Sequence, residues 1–235
     1  MAVLAAGGAE SPSVGQPDQR DSLSAFARKK AEYLIRERMS CLGCHRLDGD
    51  GGRIGADLSD VGGRRTREFI AAVLHDPKTA VPGTIMTYTP MPEKTLQLIV
   101  AYLSERGSGN GSPSSQSRVA VEAKASGSDS DAADPVSTYQ QYCAPCHGVT
   151  GEGDGPNAQY LPVRPVVHAD SAYMSTRSDD VLYDAVFAGG RIMNRSNRMP
   201  GFGHTLAPQT IWGLVRYMRE LCQCVGPMWS RDGSD

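Results

Sequence analysis

Apolar positions along the 235-residue chain repeat one order of elements twice. Leu96, Ile99, Val100 and Leu103 fall at i, i+3, i+4 and i+7, and so do Ile211, Leu214, Val215 and Met218. Each set predicts one face of an amphipathic helix. Gly107 would end the first, and Pro208 would occupy the first turn of the second. Upstream of each lies a shorter helix. Phe69, Ile70, Val73 and Leu74 follow a Thr66 cap and are stopped by Pro77. Val181, Leu182, Ala185 and Val186 follow a Ser178 cap and are closed by Gly189. Each half opens on a helical stretch, marked by Phe26, Tyr33 and Leu34 in one and by Val136, Tyr139 and Tyr142 in the other. Gly- and Asp-rich loops follow at 48–60 and 148–157. The chain between the halves, 107–135, is rich in Gly, Ser and Ala and has no hydrophobic period. It reads as a flexible linker that could reach roughly 30 Å as a random coil. The pattern predicts an all-α protein of two tandem domains, 22–106 and 136–225, with tails at 1–21 and 226–235. Stretches such as Leu96–Leu103 fall far short of the ~18 apolar residues a membrane-spanning helix needs.

Composition adds a constraint. Gly (26) and Pro (15) are abundant and aromatics are only 6%, so two small, loop-rich domains would have thin side-chain cores. Something else should fill the interior. The formal net charge of −2 argues against nucleic-acid binding, which usually shows a basic excess. Residues 22–106 hold 13 basic and 10 acidic groups, and residues 136–225 hold 7 of each, so the first half is the more cationic. Its arginines at 28–38 and 64–67 are candidates for docking an acidic partner or anionic headgroups, against the plainer reading of a solvated helix face.

Four of six cysteines form two copies of one spacing, Cys41-Leu42-Gly43-Cys44-His45 and Cys143-Ala144-Pro145-Cys146-His147. C-x-x-C-H is a covalent c-type haem attachment pattern. Two thiols three positions apart share one side of a helical turn and can reach both vinyl groups of a porphyrin, while the adjacent His presents an imidazole nitrogen to iron. The porphyrin would also supply the missing apolar bulk, so that metal site and fold stabilise each other. Zinc is the rival reading, but the two pairs lie 102 residues apart, and zinc leaves both His residues unexplained. No βαβ pattern surrounds either motif, against a thioredoxin-like site.

A sixth ligand decides what such an iron does, and Met ligation suits electron transfer. In the second half, Met199 stands just before the last helix, with Met193 and Met174 as rivals. In the first half the choice is between Met86 and Met91. Met86 lies 16 residues before Tyr102 and Met199 lies 18 before Tyr217, whereas Met91 is only 11 before Tyr102; the spacing favours Met86. Any single Met can instead be a core filler, the reading given to Met91, Met174 and Met218. His75, His168 and His204 are weaker alternatives, since loop and surface histidines are commoner. Cys222-Gln223-Cys224 lacks a following His; a disulfide, free thiols or a partner contact all stay open. Trp212 reads as packing.

With these residues in view, each half resembles a class I cytochrome c domain. The resemblance implies a helix, C-x-x-C-H, a Gly-rich loop, a middle helix, an axial Met loop and a last helix crossing the first. It implies two covalently bound haem c groups: one on Cys41 and Cys44 with His45 and Met86 as axial ligands, the other on Cys143 and Cys146 with His147 and Met199. Tyr102 and Tyr217 match the family's aromatic position at the helix crossing. Thr87 follows Met86 where many relatives have Pro. The implied role is electron transfer in a respiratory or photosynthetic chain, between a redox protein donor and acceptor, with no catalytic residues. The segment from Arg38 to His45 and its Asp-Gly-Gly-Arg-Ile-Gly sequel are also similar to haem subunits of quinol-oxidising bc-type complexes, which implies cytochrome b and Rieske-type partners. A free periplasmic shuttle and a dihaem peroxidase are the alternatives; the long linker and two axial Met residues speak against the peroxidase. Haem attachment in this family implies the periplasm or the extracytoplasmic membrane face. The start, MAVLAAGGAE, reads as a remnant of a signal or anchor without a basic n-region.

Overall fold

The computed structural model describes residues 22–107 and 134–230. The tail at 1–21 and nearly all of the segment read as a linker lie outside them. The protein is mostly helical. In the first half, α1 (Ala25–Tyr33) runs through a π turn at Leu34–Arg38 into the single turn α2 (Cys41–Cys44). A two-residue antiparallel pair, β1 (Arg46–Leu47) and β2 (Asp50–Gly51), sits in the loop read as irregular. Then come α3 (Val61–Arg64), α4 (Arg67–His75), α5 (Pro77–Ala80) and α6 (Glu93–Glu105). The second half comprises α7 (Pro135–Tyr142), α8 (Ala144–His147), α9 (Ser171–Met174), α10 (Asp179–Ala188) and α11 (Pro208–Cys222).

The helix signals act through named atoms. Thr66 accepts a hydrogen bond from the Phe69 amide, Ser178 from the Val181 amide and Ser24 from the Ala27 amide, each satisfying an N–H that the first turn leaves without a partner. Pro77 does not merely stop α4: it starts α5, capped by Asp76. Pro208 opens α11 as its position predicts, and α6 ends at Glu105 with Gly107 at φ +81°.

Two apolar clusters result, one in each half. The first gathers Ala31, Ile35, Leu42, Leu47, Ile99 and Leu103, with α6 packed on α1 and α4. The second gathers Tyr139, Met174, Val186, Ile211, Leu214 and Met218, with α11 packed on α7, α9 and α10. Tyr102 is buried where α6 meets the first cluster, and Tyr217 stacks edge-on against Tyr139 at 5.1 Å. The helical stretch marked by Phe26, Tyr33 and Leu34 forms, but its two aromatics do not supply the buried face. Phe26 is 79% exposed and Tyr33 is also exposed, while Ala31 and Ile35 face the core. The small side chain of Ala31 lets α1 approach α6 closely, and the bulky aromatics fall on its outer side.

Three of the six arginines in the segments proposed for docking form ion pairs within the chain. Arg28 pairs with Glu105, Arg64 with Asp60, and Arg36 with Glu32, Asp48 and Asp50. Trp212 stacks on Tyr183 at 4.6 Å, in keeping with packing. Cys222 and Cys224 form a disulfide where α11 ends, which selects among the readings left open by the sequence. No helix of the described residues is long and apolar enough to cross a membrane.

Candidate functional site

Each C-x-x-C-H lies on one helical turn, held by a Gly-rich loop. The Cys44 carbonyl accepts from the Gly55 amide at 2.8 Å, and the Cys146 carbonyl from the Gly155 amide at 3.2 Å. His45 joins its Nδ1 to the Ala56 carbonyl at 2.8 Å, and His147 joins its Nδ1 to the Val166 carbonyl at 2.9 Å. Such a partner fixes tautomer and ring orientation and leaves Nε2 to a metal. Burial lowers both imidazole pKa values, against the smaller raising effect of those hydrogen bonds, so both rings are neutral at pH 7. Gly55 is required where it stands, because a Cβ there would lie 2.5 Å from His45 Cε1.

Cys41, Cys44, Cys143 and Cys146 carry free thiols. Burial pushes Cys41 up to about 11 and both Cys44 and Cys143 up to about 12. Among the described residues, no group of three or more His, Cys, Asp or Glu side chains is arranged to hold a metal ion.

Both motifs open on one continuous cavity of about 1000 Å³. Its walls are largely apolar and drawn from both halves. They include Phe69, Ile70, Val73 and Leu74 of α4 and Val181, Leu182, Ala185 and Val186 of α10. The amphipathic faces read from the sequence therefore front a cavity, which explains why Phe69 remains 39% exposed. Met86, Met91, Met193 and Met199 all line it. Met174 and Met218 reach its wall but are buried in the second cluster, as core fillers. Met91 lies two residues before α6 and packs on the first cluster. His75 and His204 are exposed and do not line the cavity.

The polar groups on this wall complete the test of fit. Arg198 Nη1 and Arg177 Nε are buried without hydrogen-bond partners among the described residues, and both arginines line the cavity. Buried cationic donors left unpaired are costly, so an apolar cavity bearing them fits an apolar ligand with anionic arms. Thiols, neutral imidazoles, apolar walls and orphan guanidinium donors all suit a covalently held haem with its propionates.

Sequence reasoning missed several of these groups. His168 is buried, not a surface histidine: its ring stacks on His147 at 4.1 Å and its Nδ1 meets the Tyr139 hydroxyl at 2.9 Å. Asn157 bonds to both halves, and nothing in its loop sequence marks it. Arg198 stands next to Met199, a placement that could have drawn attention to it.

Residues 130–218 match the family model described as cytochrome c oxidase, cbb3-type, subunit III. No curated protein matches the chain. A solved structure, the reducing HAO-like protein complex of Kuenenia stuttgartiensis, aligns at 18% identity and a TM-score of 0.31, covering 86% of this chain and 97% of that one. The second half thus contains a cytochrome c domain of the cbb3 subunit III type, which implies covalently bound haem c and electron transfer. Cytochrome c domains are typically extracytoplasmic.

Proposed function

We propose that the chain is a dihaem c-type cytochrome of two tandem class I domains, 22–106 and 136–225, and that it carries electrons in a respiratory or photosynthetic chain. The observation that carries this reading is the duplication. The first half has the same free thiol pair, the same carbonyl-anchored imidazole and the same Met-bearing apolar wall as the half matched to the cytochrome c family. When bound, haem supplies a one-electron ferric–ferrous couple at each site.

The chain's own residues do the rest. Cys41 and Cys44 tether one group through their sulfurs, and Cys143 and Cys146 tether the other. His45 and His147 donate Nε2, with Ala56 and Val166 holding the rings. Met86 and Met199, both on the cavity wall, would supply the methionine sulfur ligand to each group, a ligation that suits electron transfer. Arg198 and Arg177 meet the carboxylates. The apolar faces of α4 and α10 exclude water, which limits reorganisation when charge changes. In this reading the protein works at the extracytoplasmic face of a membrane as the haem c subunit of a quinol-oxidising bc-type complex, beside cytochrome b and Rieske-type polypeptides. The free periplasmic shuttle is the alternative within the same chemistry.

Mass spectrometry of the chain matured in a host that attaches haem c should show the mass of two haems. The mass of one haem, or of the bare chain, overturns the proposal. Affinity isolation from native membranes should recover cytochrome b and Rieske polypeptides; recovery of a lone soluble chain selects the shuttle. One observation favours a second reading: the halves are packed together, as a dihaem peroxidase requires. Carbon monoxide binding to the native reduced protein would select the peroxidase, and its absence excludes it.

A further inference from the structure

One side chain joins the two attachment motifs. Asn157, only 3% exposed, sits in the loop after α8 in the second half. Its Nδ2 donates to the carbonyl of Gly43, between Cys41 and Cys44, at 2.8 Å and also lies 3.2 Å from Cys146 Sγ. Its Oδ1 accepts from the Arg53 amide of the first half at 2.7 Å. Both ends of the amide are engaged, and each crosses between the halves. The backbones close around it: a Cβ on Gly43 would stand 1.8 Å from the Arg198 carbonyl oxygen, and one on Gly52 would stand 2.8 Å from the Asn157 amide. Cys146 lies near enough to Cys44 to add to the upward push that burial gives its thiol across this seam.

From this we infer that Asn157 is a positioning residue that clamps the two motifs into direct register, so that an electron passes between the two sites within one molecule. The inference rests on the two-haem reading above. The step moves one electron: one site is oxidised by one unit as the other is reduced by one, and no bond forms or breaks. A buried amide satisfied on both sides fixes distance and orientation, which a salt bridge on flexible side chains would not.

The test uses the full-length, haem-loaded protein. Asn157→Leu keeps similar volume and removes every hydrogen bond of the clamp. Gly43→Ala leaves Asn157 intact and wedges the Arg198 carbonyl away; the matching position of the second motif is Pro145, so attachment chemistry tolerates a side chain there. Mass spectrometry first counts the haems, and a visible spectrum checks axial ligation. Hydrogen exchange at the Arg53 amide should accelerate by about tenfold or more in both variants, as expected for a lost buried hydrogen bond. After flash reduction of one site, wild-type electron exchange should be first order and independent of concentration; in the variants it should stay first order, because one chain carries both halves, but slow by about tenfold or more. Faster amide exchange with unchanged first-order electron exchange would reduce Asn157 to a structural contact and overturn the inference. So would wild-type exchange that depends on concentration. Should Asn157→Leu fail to fold, Gly43→Ala decides. A wild-type chain bearing one haem is the failure of the parent reading, seen in the mass before any kinetics.

Discussion

Met86 and Met91 both reach the cavity wall, but they differ in what else holds them. Met91 packs on the first apolar cluster next to α6, while Met86 stays in the loop, its amide bonded to the Thr84 hydroxyl at 3.2 Å. An axial ligand removed leaves an iron open to diatomic molecules, whereas a core filler removed leaves a cavity. Met199→Ala and Met86→Ala should each bind carbon monoxide in the reduced state, one equivalent per chain, and Met91→Ala should bind none. Met91→Ala should instead lose stability, by about 2–5 kcal/mol if the site cannot collapse. Carbon monoxide titration and urea unfolding of the three variants separate the roles. Gly55 allows a second prediction at this scale. Its Cβ-bearing variant Gly55→Ala must displace the His45 ring or the loop that carries Ala56, since the added atom would stand 2.5 Å from the imidazole. The expected outcome is a perturbed spectrum for one site only, with the other unchanged.

At the scale of elements, the caps and the loops beneath the histidines are the parts that sequence and structure share most closely. Thr66 and Ser178 were legible because an N-cap needs only a hydroxyl before a periodic apolar run, a local requirement. Thr66→Ala or Ser178→Ala should cost about 1 kcal/mol in urea unfolding without altering the spectrum. The face of α1 was not legible, because Ala31 is buried by close helix approach and carries too little side chain to register as apolar pattern. The loop 54–59 shows a further device. Asp57 Oδ1 accepts from the Ser59 amide at 2.9 Å and from its hydroxyl at 2.6 Å, and the carboxylate also pairs with Arg46. The Ser59 donors, helped by the Arg46 guanidinium, hold this carboxyl well below the usual range. Its contribution to stability is therefore complete above the unfolded-state value of about 3.9 and is lost as pH falls through the lower folded value. Asp57→Asn should be less stable than wild type near neutral pH, and the difference should shrink as pH approaches about 2. Urea unfolding across that range checks the sign. Because the loop presents the Ala56 carbonyl to His45, the first site should loosen with it.

On the scale of the whole molecule, the sequence reading placed a linker between the halves and did not foresee that they dock. Docking depends on side-chain amides meeting carbonyls presented by the other half, and no local pattern encodes that. Asn197 bonds the Arg36 and Met39 carbonyls at 2.9 and 3.1 Å, Asn157 bonds Gly43, Arg191 bonds the Arg38 carbonyl at 3.1 Å, and Lys78 meets the Tyr142 hydroxyl at 2.9 Å. Arg53 lies over the Tyr160 ring at 4.1 Å. Arg198 and Asp50 form an ion pair across the seam, with Asp50 substantially exposed. The character of the interface follows from this mixture. Exposed ion pairs are worth little and are screened within about 10 Å at 0.1 M salt, whereas buried neutral hydrogen bonds are nearly indifferent to salt. A protease site placed between 108 and 133 would cut the tether and lower the effective concentration of one half at the other from the millimolar range of a flexible linker to that of the solution. The cut halves should still elute together at about 50 μM, and raising salt from about 0.05 to 0.5 M should weaken them by less than about threefold. Asn157→Leu in the cut protein should separate them at the same concentration. A large loss of association in salt would mean that Arg198–Asp50 and Lys78, not the amides, hold the seam, and Arg198→Ala would then separate the halves more effectively than Asn157→Leu.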